Sequence, residues 1–441
     1  MNTRITSFSL LAFLFVLSAC EKEPLQPSAQ QPTQTNAAVA ADFTRYIAVG
    51  NSITAGYSNG GLYLAGQQVA YPNIVATQMK AVGGGMFSQS LFPADQANGS
   101  GYLRLAGFNA DGSPNIVPVT TNLAIRGVTT IPGYGNVTLY TKYAGDLNNY
   151  GVPGIKLQQI TTPLLGNLNP YFERLLPGVA GTNNTPYLDF VTAKPFTFFS
   201  CWLGNNDALG YATSGGEEDV LTDKTQFAAL YALAVATLTK TGAGGVVATI
   251  PDVTALPYLN TVTVQALVAA ANRVNTAVRN IYISALNPAT GAYASRAATA
   301  SDLINLTFDR STLGGTVNGL PGYGLAPSNP IMSKEVLDSA EVAKARDYII
   351  FYNQTIKAAA TQFGLAVFDS FDFLNKVKTG FQVNGAFVNG DYITGGVFSL
   401  DGIHLTPRGN ALTANEFIKS INAKYGTNIQ QVDVSTYMGV L

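Results

Sequence analysis

Only one histidine occurs in the 441 residues, and it stands three positions after an aspartate, in Asp401-Gly402-Ile403-His404. Imidazole titrates near neutrality, so it can take and return a proton at working pH. A carboxylate three residues away can reach its second ring nitrogen and hold the useful tautomer. Such a base needs a hydroxyl to activate. Ser52 lies in Gly50-Asn51-Ser52-Ile53, directly after the apolar run Tyr46-Ile47-Ala48-Val49. A serine placed there is expected on an exposed turn at the C-terminal edge of a strand, where open α/β sheets bind ligands. A helix starting at that turn would aim backbone N–H groups outward, and its dipole would favour negative charge. Both suit the oxyanion that forms when a hydroxyl attacks a carbonyl. Taken alone, a Gly-Asn-Ser turn is an ordinary turn.

The elements that must position these residues follow an alternating rhythm. Tyr46-Ile47-Ala48-Val49, residues 195–203, residues 245–250 and Leu365-Ala366-Val367-Phe368 are short apolar runs of the kind that form buried parallel strands. Helix-like stretches occupy 225–240, 262–286, 341–361 and 408–424. Alternation of this kind predicts an α/β fold with helices on both faces of the sheet. Two Gly- and Asn-rich regions, about 58–150 and 287–330, interrupt it. They lack long periodic apolar runs and read as insertions on one domain, 42–441, not as domains with their own cores. The first contains a hairpin-like segment with Asp111-Gly112 at its turn. Thr406-Pro407 reads as the N-cap and first residue of the helix after the histidine.

Four short blocks then resemble, in order, those of the SGNH (GDSL-type) hydrolase superfamily. Gly50-Asn51-Ser52-Ile53 matches the first, although the family more often has Asp at position 51. Asn149-Tyr150-Gly151-Val152-Pro153-Gly154 has the Asn-x-x-x-x-Gly shape of the second. Gly204-Asn205-Asn206-Asp207 matches the third, Gly-x-Asn-Asp. Asp401-Gly402-Ile403-His404 matches the last, Asp-x-x-His. The resemblance implies a three-layer α/β/α sandwich with a mostly parallel, flavodoxin-like sheet. It also implies a serine esterase with Ser52 as nucleophile, His404 as base and Asp401 as its orienting partner. The oxyanion donors would be the backbone N–H groups of Ser52 and Gly154 and the side-chain amide of Asn206. No cofactor and no metal are implied. The expected substrate is a carboxylic ester, either a lipid acyl ester or an O-acetylated glycan. The competing reading is a non-catalytic surface lipoprotein that binds glycan or protein on a hydrolase-like fold.

Composition narrows the field further. Charged residues make up 12% and the formal net charge is -1, with no basic run, which excludes a nucleic-acid footprint. Arg4, the apolar run Phe8 to Leu17 and Ser18-Ala19-Cys20 read as an export signal too short to span a bilayer. Leu17-Ser18-Ala19-Cys20 resembles the bacterial lipobox. That resemblance implies removal of residues 1–19, lipidation of Cys20, and a membrane anchor; the absence of Asp at the next position, where Glu21 stands, favours the outer membrane. Residues 20–41 would then be the lipidated Cys and a Pro/Gln/Ala/Thr-rich tether. Cys201, inside an apolar run, is expected to be a buried, inert thiol.

Overall fold

The structure is a computed structural model that describes residues 41–110 and 112–440. The export signal, Cys20, nearly all of the tether and Asp111 lie outside the described residues. Five strands form one parallel sheet: β1 (Tyr46–Gly50), β2 (Asn149–Gly151), β3 (Phe198–Trp202), β4 (Gly244–Ala248) and β5 (Ala366–Phe368). Their order is β2-β1-β3-β4-β5, the doubly wound arrangement in which β1 and β3 flank the topological switch point. The register pairs Gly50 with both Gly151 and Trp202. The C-terminal ends of β1, β2 and β3 are therefore level, and the loops after them leave the sheet at one edge.

Side-chain alternation along β3 explains the layers. Phe198 and Trp202 point to one face. Phe198 meets Tyr425 edge-on at 5.4 Å, and Trp202 meets Tyr71 at 5.7 Å and Phe417 at 5.8 Å. Those partners belong to α2 (Tyr71–Met79) and α6 (Pro407–Tyr425), and Tyr71 stacks on Phe417 at 4.7 Å. Cys201 points to the opposite face, which is covered by α4 (Lys224–Thr239) and α5 (Ser339–Gln362). There Phe227 stacks on Tyr352 at 3.8 Å, and Asn353 exchanges hydrogen bonds with both backbone groups of Ile250. Burial pushes the Cys201 thiol up to about 12, so it stays neutral and inert. Thr406 caps α6 by accepting the Gly409 N–H at 3.0 Å, with Pro407 at the first helical position.

Two readings of the sequence are corrected by the structure. The stretch 262–286 is not one helix. A helix runs over Val264–Val274, and Tyr282–Leu286 is a strand paired antiparallel with Tyr293–Ala297. Asn275 Oδ1 accepts the Ala277 N–H at 3.0 Å and closes a turn that stops the helix. Ile281, Ile283 and Ala285 then bury alternate positions, the period of a strand. The region beyond also has a small core of its own. Val264, Leu267, Ile283, Ile304, Phe308 and Ile331 form a buried cluster separate from the main one. The first interrupted region is mixed. Within 58–150, α2 packs into the main core through Tyr71, Ile74, Val75 and Met79. Its peripheral part is two antiparallel pairs, Tyr102–Phe108 with Pro114–Val119 and Ile125–Ile131 with Gly135–Tyr140.

Candidate active site

Ser52 is the first residue of a single helical turn, α1 (Ser52–Ala55), that follows β1. Asn51 caps the turn, its Oδ1 accepting the Ile53 N–H at 3.1 Å. The asparagine thus supplies the local bond that an aspartate would make. The turn sits hard against the end of β2. A Cβ on Gly151 would stand 2.3 Å from Ala55 N, so only glycine admits the turn that carries the serine. Ser52 is 7% exposed, less than the open turn expected from the sequence, because the His404 loop and the residues after α1 close over it.

His404 completes a three-residue chain. Its Nε2 lies 2.8 Å from Ser52 Oγ and its Nδ1 2.8 Å from Asp401 Oδ2. The Asp401 carboxylate also accepts N–H groups from Ile403 (2.9 Å), His404 (2.8 Å) and Gly60 (2.7 Å), and the Ser399 hydroxyl at 3.1 Å. Burial alone would raise its pKa. The imidazole beside it and these hydrogen bonds outweigh burial and hold the carboxyl well below the usual carboxylate range. An ionised carboxylate only accepts, so Nδ1 carries the proton and Nε2 presents its lone pair to the serine hydroxyl. Gly402 takes φ +69 inside this tight turn, where a Cβ would stand 2.9 Å from Tyr258 N. The Tyr258 N–H donates to Gly402 O at 3.0 Å and braces the turn from behind.

Gly154 and Asn206 follow the ends of β2 and β3 at the same sheet edge. Val152 N–H donates to Gly50 O at 3.0 Å, which ties the loop after β2 to the end of β1. Gly154 follows at φ +79, a left-handed conformation that favours glycine. Asn206 opens α3 (Asn206–Thr213) just after β3. Its Nδ2 donates one hydrogen to Ile155 O at 2.9 Å, next to Gly154. The amide is thereby oriented while its second hydrogen remains to serve another acceptor.

Sequence reasoning missed the groups that support these residues. Asp207 accepts the Leu157 N–H at 2.7 Å and the Thr222 hydroxyl at 2.6 Å, which fastens the Gly154 loop to α3. It stood in the third block, and only its neighbour was singled out. Ser58 Oγ donates to Leu405 O at 2.9 Å and Asn59 N–H to Ser399 Oγ at 2.9 Å, so residues after α1 hold the histidine loop. No spacing rule connects positions 58–60 to 399–405. Tyr57 packs on His404, with ring centroids 4.6 Å apart.

A family model described as GDSL-like Lipase/Acylhydrolase matches residues 46–417. No curated protein sequence matches the chain significantly. Among solved structures, an α/β hydrolase enzyme from the metagenome of Lake Arreo, Spain, is similar at 11% identity. It covers 88% of this chain and 98% of its own, with TM-score 0.36. An acetyl xylan esterase from Geobacillus stearothermophilus aligns at 10% identity over 89% of this chain and 99% of its own, with TM-score 0.36. An extracellular lipase from Streptomyces rimosus aligns at 12% identity over 86% and 99%, with TM-score 0.31.

Proposed function

The chain belongs to the GDSL-like lipase/acylhydrolase family, and from that premise we propose that it hydrolyses carboxylic esters through Ser52, His404 and Asp401. Ser52 Oγ attacks the ester carbonyl while His404 Nε2 takes its proton. The tetrahedral oxyanion is met by the Ser52 and Gly154 backbone N–H groups and the Asn206 amide. It collapses as the C–O bond to the alcohol breaks, and His404 returns the proton to the leaving oxygen. Water, activated by His404, then adds to the acyl-enzyme and releases the acid. Asp401 stays ionised throughout and stabilises the imidazolium.

The observation that carries this reading is the continuous chain from Asp401 Oδ2 through the imidazole to Ser52 Oγ, with both contacts at 2.8 Å. A fluorophosphonate probe tests it. Labelling of the folded protein is expected, and it should vanish in Ser52→Ala together with turnover of p-nitrophenyl acetate. A well-folded protein that takes no label, or a Ser52→Ala variant that still turns over, would favour a binding protein on a hydrolase fold.

The natural ester is either a lipid acyl ester or an O-acetylated glycan. Both antiparallel pairs of 102–140 are rooted beside the site. Leu103 N–H donates to Asn59 O at 2.7 Å, and Tyr140 stacks on Tyr171, which meets Tyr57 edge-on at 6.1 Å. These pairs are proposed to set the size of the group that Ser52 receives. Lipidated Cys20 is proposed to anchor the exported enzyme to a bacterial membrane, with the outer membrane favoured.

A further inference from the structure

Residues 57–60, which follow α1 and Gly56, form a strap, and each of them touches the acid–base pair or its loop. Tyr57 N–H donates to Ser52 O at 2.9 Å. Its ring centroid lies 4.6 Å from that of the His404 imidazole, tilted by 47°. Its hydroxyl donates to Gly60 O at 2.6 Å, and Gly60 N–H donates to Asp401 Oδ2 at 2.7 Å. That is the same carboxylate oxygen that faces His404 Nδ1. Ser58 hooks Leu405 O. Asn59, at φ +51, gives its N–H to Ser399 and takes the Leu400 N–H on Oδ1 at 3.0 Å. The Tyr57 ring is itself held from behind by Tyr171, 6.1 Å away and edge-on, and Tyr171 stacks on Tyr140 at 5.0 Å.

We propose that Tyr57 is a positioning residue for the base, its ring holding the His404 imidazole on Ser52 and stabilising the imidazolium that forms when Ser52 gives up its proton. The inference rests on His404 acting as the base. As base, the imidazole takes the Ser52 proton and with it a full charge on the way to the tetrahedral intermediate. An aromatic face within about 6 Å of a cation attracts it electrostatically, an effect of roughly two- to thirtyfold in an equilibrium or a rate. Because the charge is absent in the ground state, that attraction raises kcat and leaves substrate affinity alone. Ionisable groups around the acid–base pair include Asp401 itself, which is committed to Nδ1, the Tyr57 phenol with Tyr171 and Tyr140 behind it, and the Tyr63 and Tyr392 phenols, which feel the Asp401 charge. Burial, then the nearby Asp401 charge, pushes the Tyr57 phenol up to about 12. It therefore stays neutral and remains a donor to Gly60.

Replacing position 57 with phenylalanine and then with phenylalanines of increasing ring fluorination tests the role, because fluorine drains the ring face while its shape is nearly kept. Rates are taken per Ser52 titrated with fluorophosphonate, so unfolded protein does not count. Tyr57→Phe is expected to lose no more than about threefold in kcat. The fluorinated series should fall stepwise to roughly tenfold, with KM within twofold. The acid limb of the kcat profile should move to lower pH in step, since a poorer ring stabilises the imidazolium less. Tyr57→Leu should resemble the most fluorinated variant. A flat kcat across the series, or a loss carried by KM, would overturn the proposal. His404→Ala separates the two levels. If it still turns over, the base assignment itself is wrong; if it is inactive while the series stays flat, only the Tyr57 role is lost.

Discussion

Asn206 illustrates how one side chain can be both fixed and available. Its amide spends one hydrogen on Ile155 O, and in the proposed mechanism the other serves the developing oxyanion. Removing an oxyanion donor of this kind typically costs about 2.7–4 kcal/mol of transition-state stabilisation. Asn206→Ala is therefore expected to lower kcat by about 10²- to 10³-fold while KM changes by less than threefold; a loss confined to KM would refute the oxyanion contact. Its neighbour makes a prediction about stability. Burial raises the Asp207 carboxyl from 3.8 to about 6, against the pull of its hydrogen bonds. Below 3.8 the group is protonated in both folded and unfolded chains, and folding carries no charge penalty. As the pH rises through about 6 the folded state must hold a buried anion, and the advantage of the protonated form is lost, up to about 3 kcal/mol. The stability of the native protein relative to Asp207→Asn should thus decline between pH 4 and 7 in urea titrations. A pH-independent difference would mean that Asp207 ionises normally. The proposed triad of Ser52, Asp401 and His404 stood out in the sequence because its chemistry restricts residue type. Tyr57, Asn59 and Gly60 did not. They meet the site through a ring contact and backbone N–H groups, which many sequences supply, and their partners stand some 340 residues away.

The elements that carry the site were legible where they were long or strongly patterned. The runs at β1, β3, β4 and β5 showed in the sequence, and the caps of α6 were readable from Thr406 and Pro407. β2 was missed because it has only three residues, Asn149–Gly151. Its middle residue is the only bulky apolar one, so no period could appear. Yet β2 sets where α1 lies. A methyl group on Gly151 would stand 2.3 Å from Ala55 N and 2.7 Å from Thr54 C, both backbone atoms that cannot yield without moving the turn. Gly151→Ala is expected to lower the melting temperature by several degrees and turnover by more than tenfold; a variant with native turnover would mean that the turn tolerates displacement. The helix read across 262–286 failed for the opposite reason. Its apolar residues suit either period, and the turn at Asn275 decided the matter. The peripheral pair at Tyr102–Val119 can be trimmed at a matched register, since Arg104 pairs with Val117. Joining those two residues through Asn-Gly removes the tip and keeps the Leu103 bond to Asn59. The acyl-length profile on p-nitrophenyl esters should shift, and an identical profile would remove the proposed link between this pair and substrate size.

At the scale of the molecule, the sheet order explains why segments separated by hundreds of residues meet. Ser52 and Asn206 follow the two strands that flank the switch point, and the loop with Gly154 follows the strand beside them. The α/β class was readable from alternation. The small second core was not, because its apolar residues come from short scattered pieces between 262 and 336. The proposed membrane attachment concerns the N-terminal end of the chain. Phe8 to Leu17 is ten residues, about 15 Å as a helix against a hydrocarbon core of about 30 Å. It is long enough for an export signal and too short for a membrane span. If Cys20 carries acyl chains, as Leu17-Ser18-Ala19-Cys20 suggests, two or more chains would give stable anchoring where one would not. Residues 24–41 carry no charge. In a bacterial host the full chain is therefore expected to partition into the detergent phase of Triton X-114 and to incorporate labelled palmitate. Cys20→Ser should move to the aqueous phase, take no label, and hydrolyse a soluble ester at the native rate per fluorophosphonate-titrated serine, because Cys20 has no part in the proposed chemistry. Equal partitioning of the two proteins would place attachment elsewhere in the chain, and loss of turnover in the soluble form would show that the membrane contributes to the site.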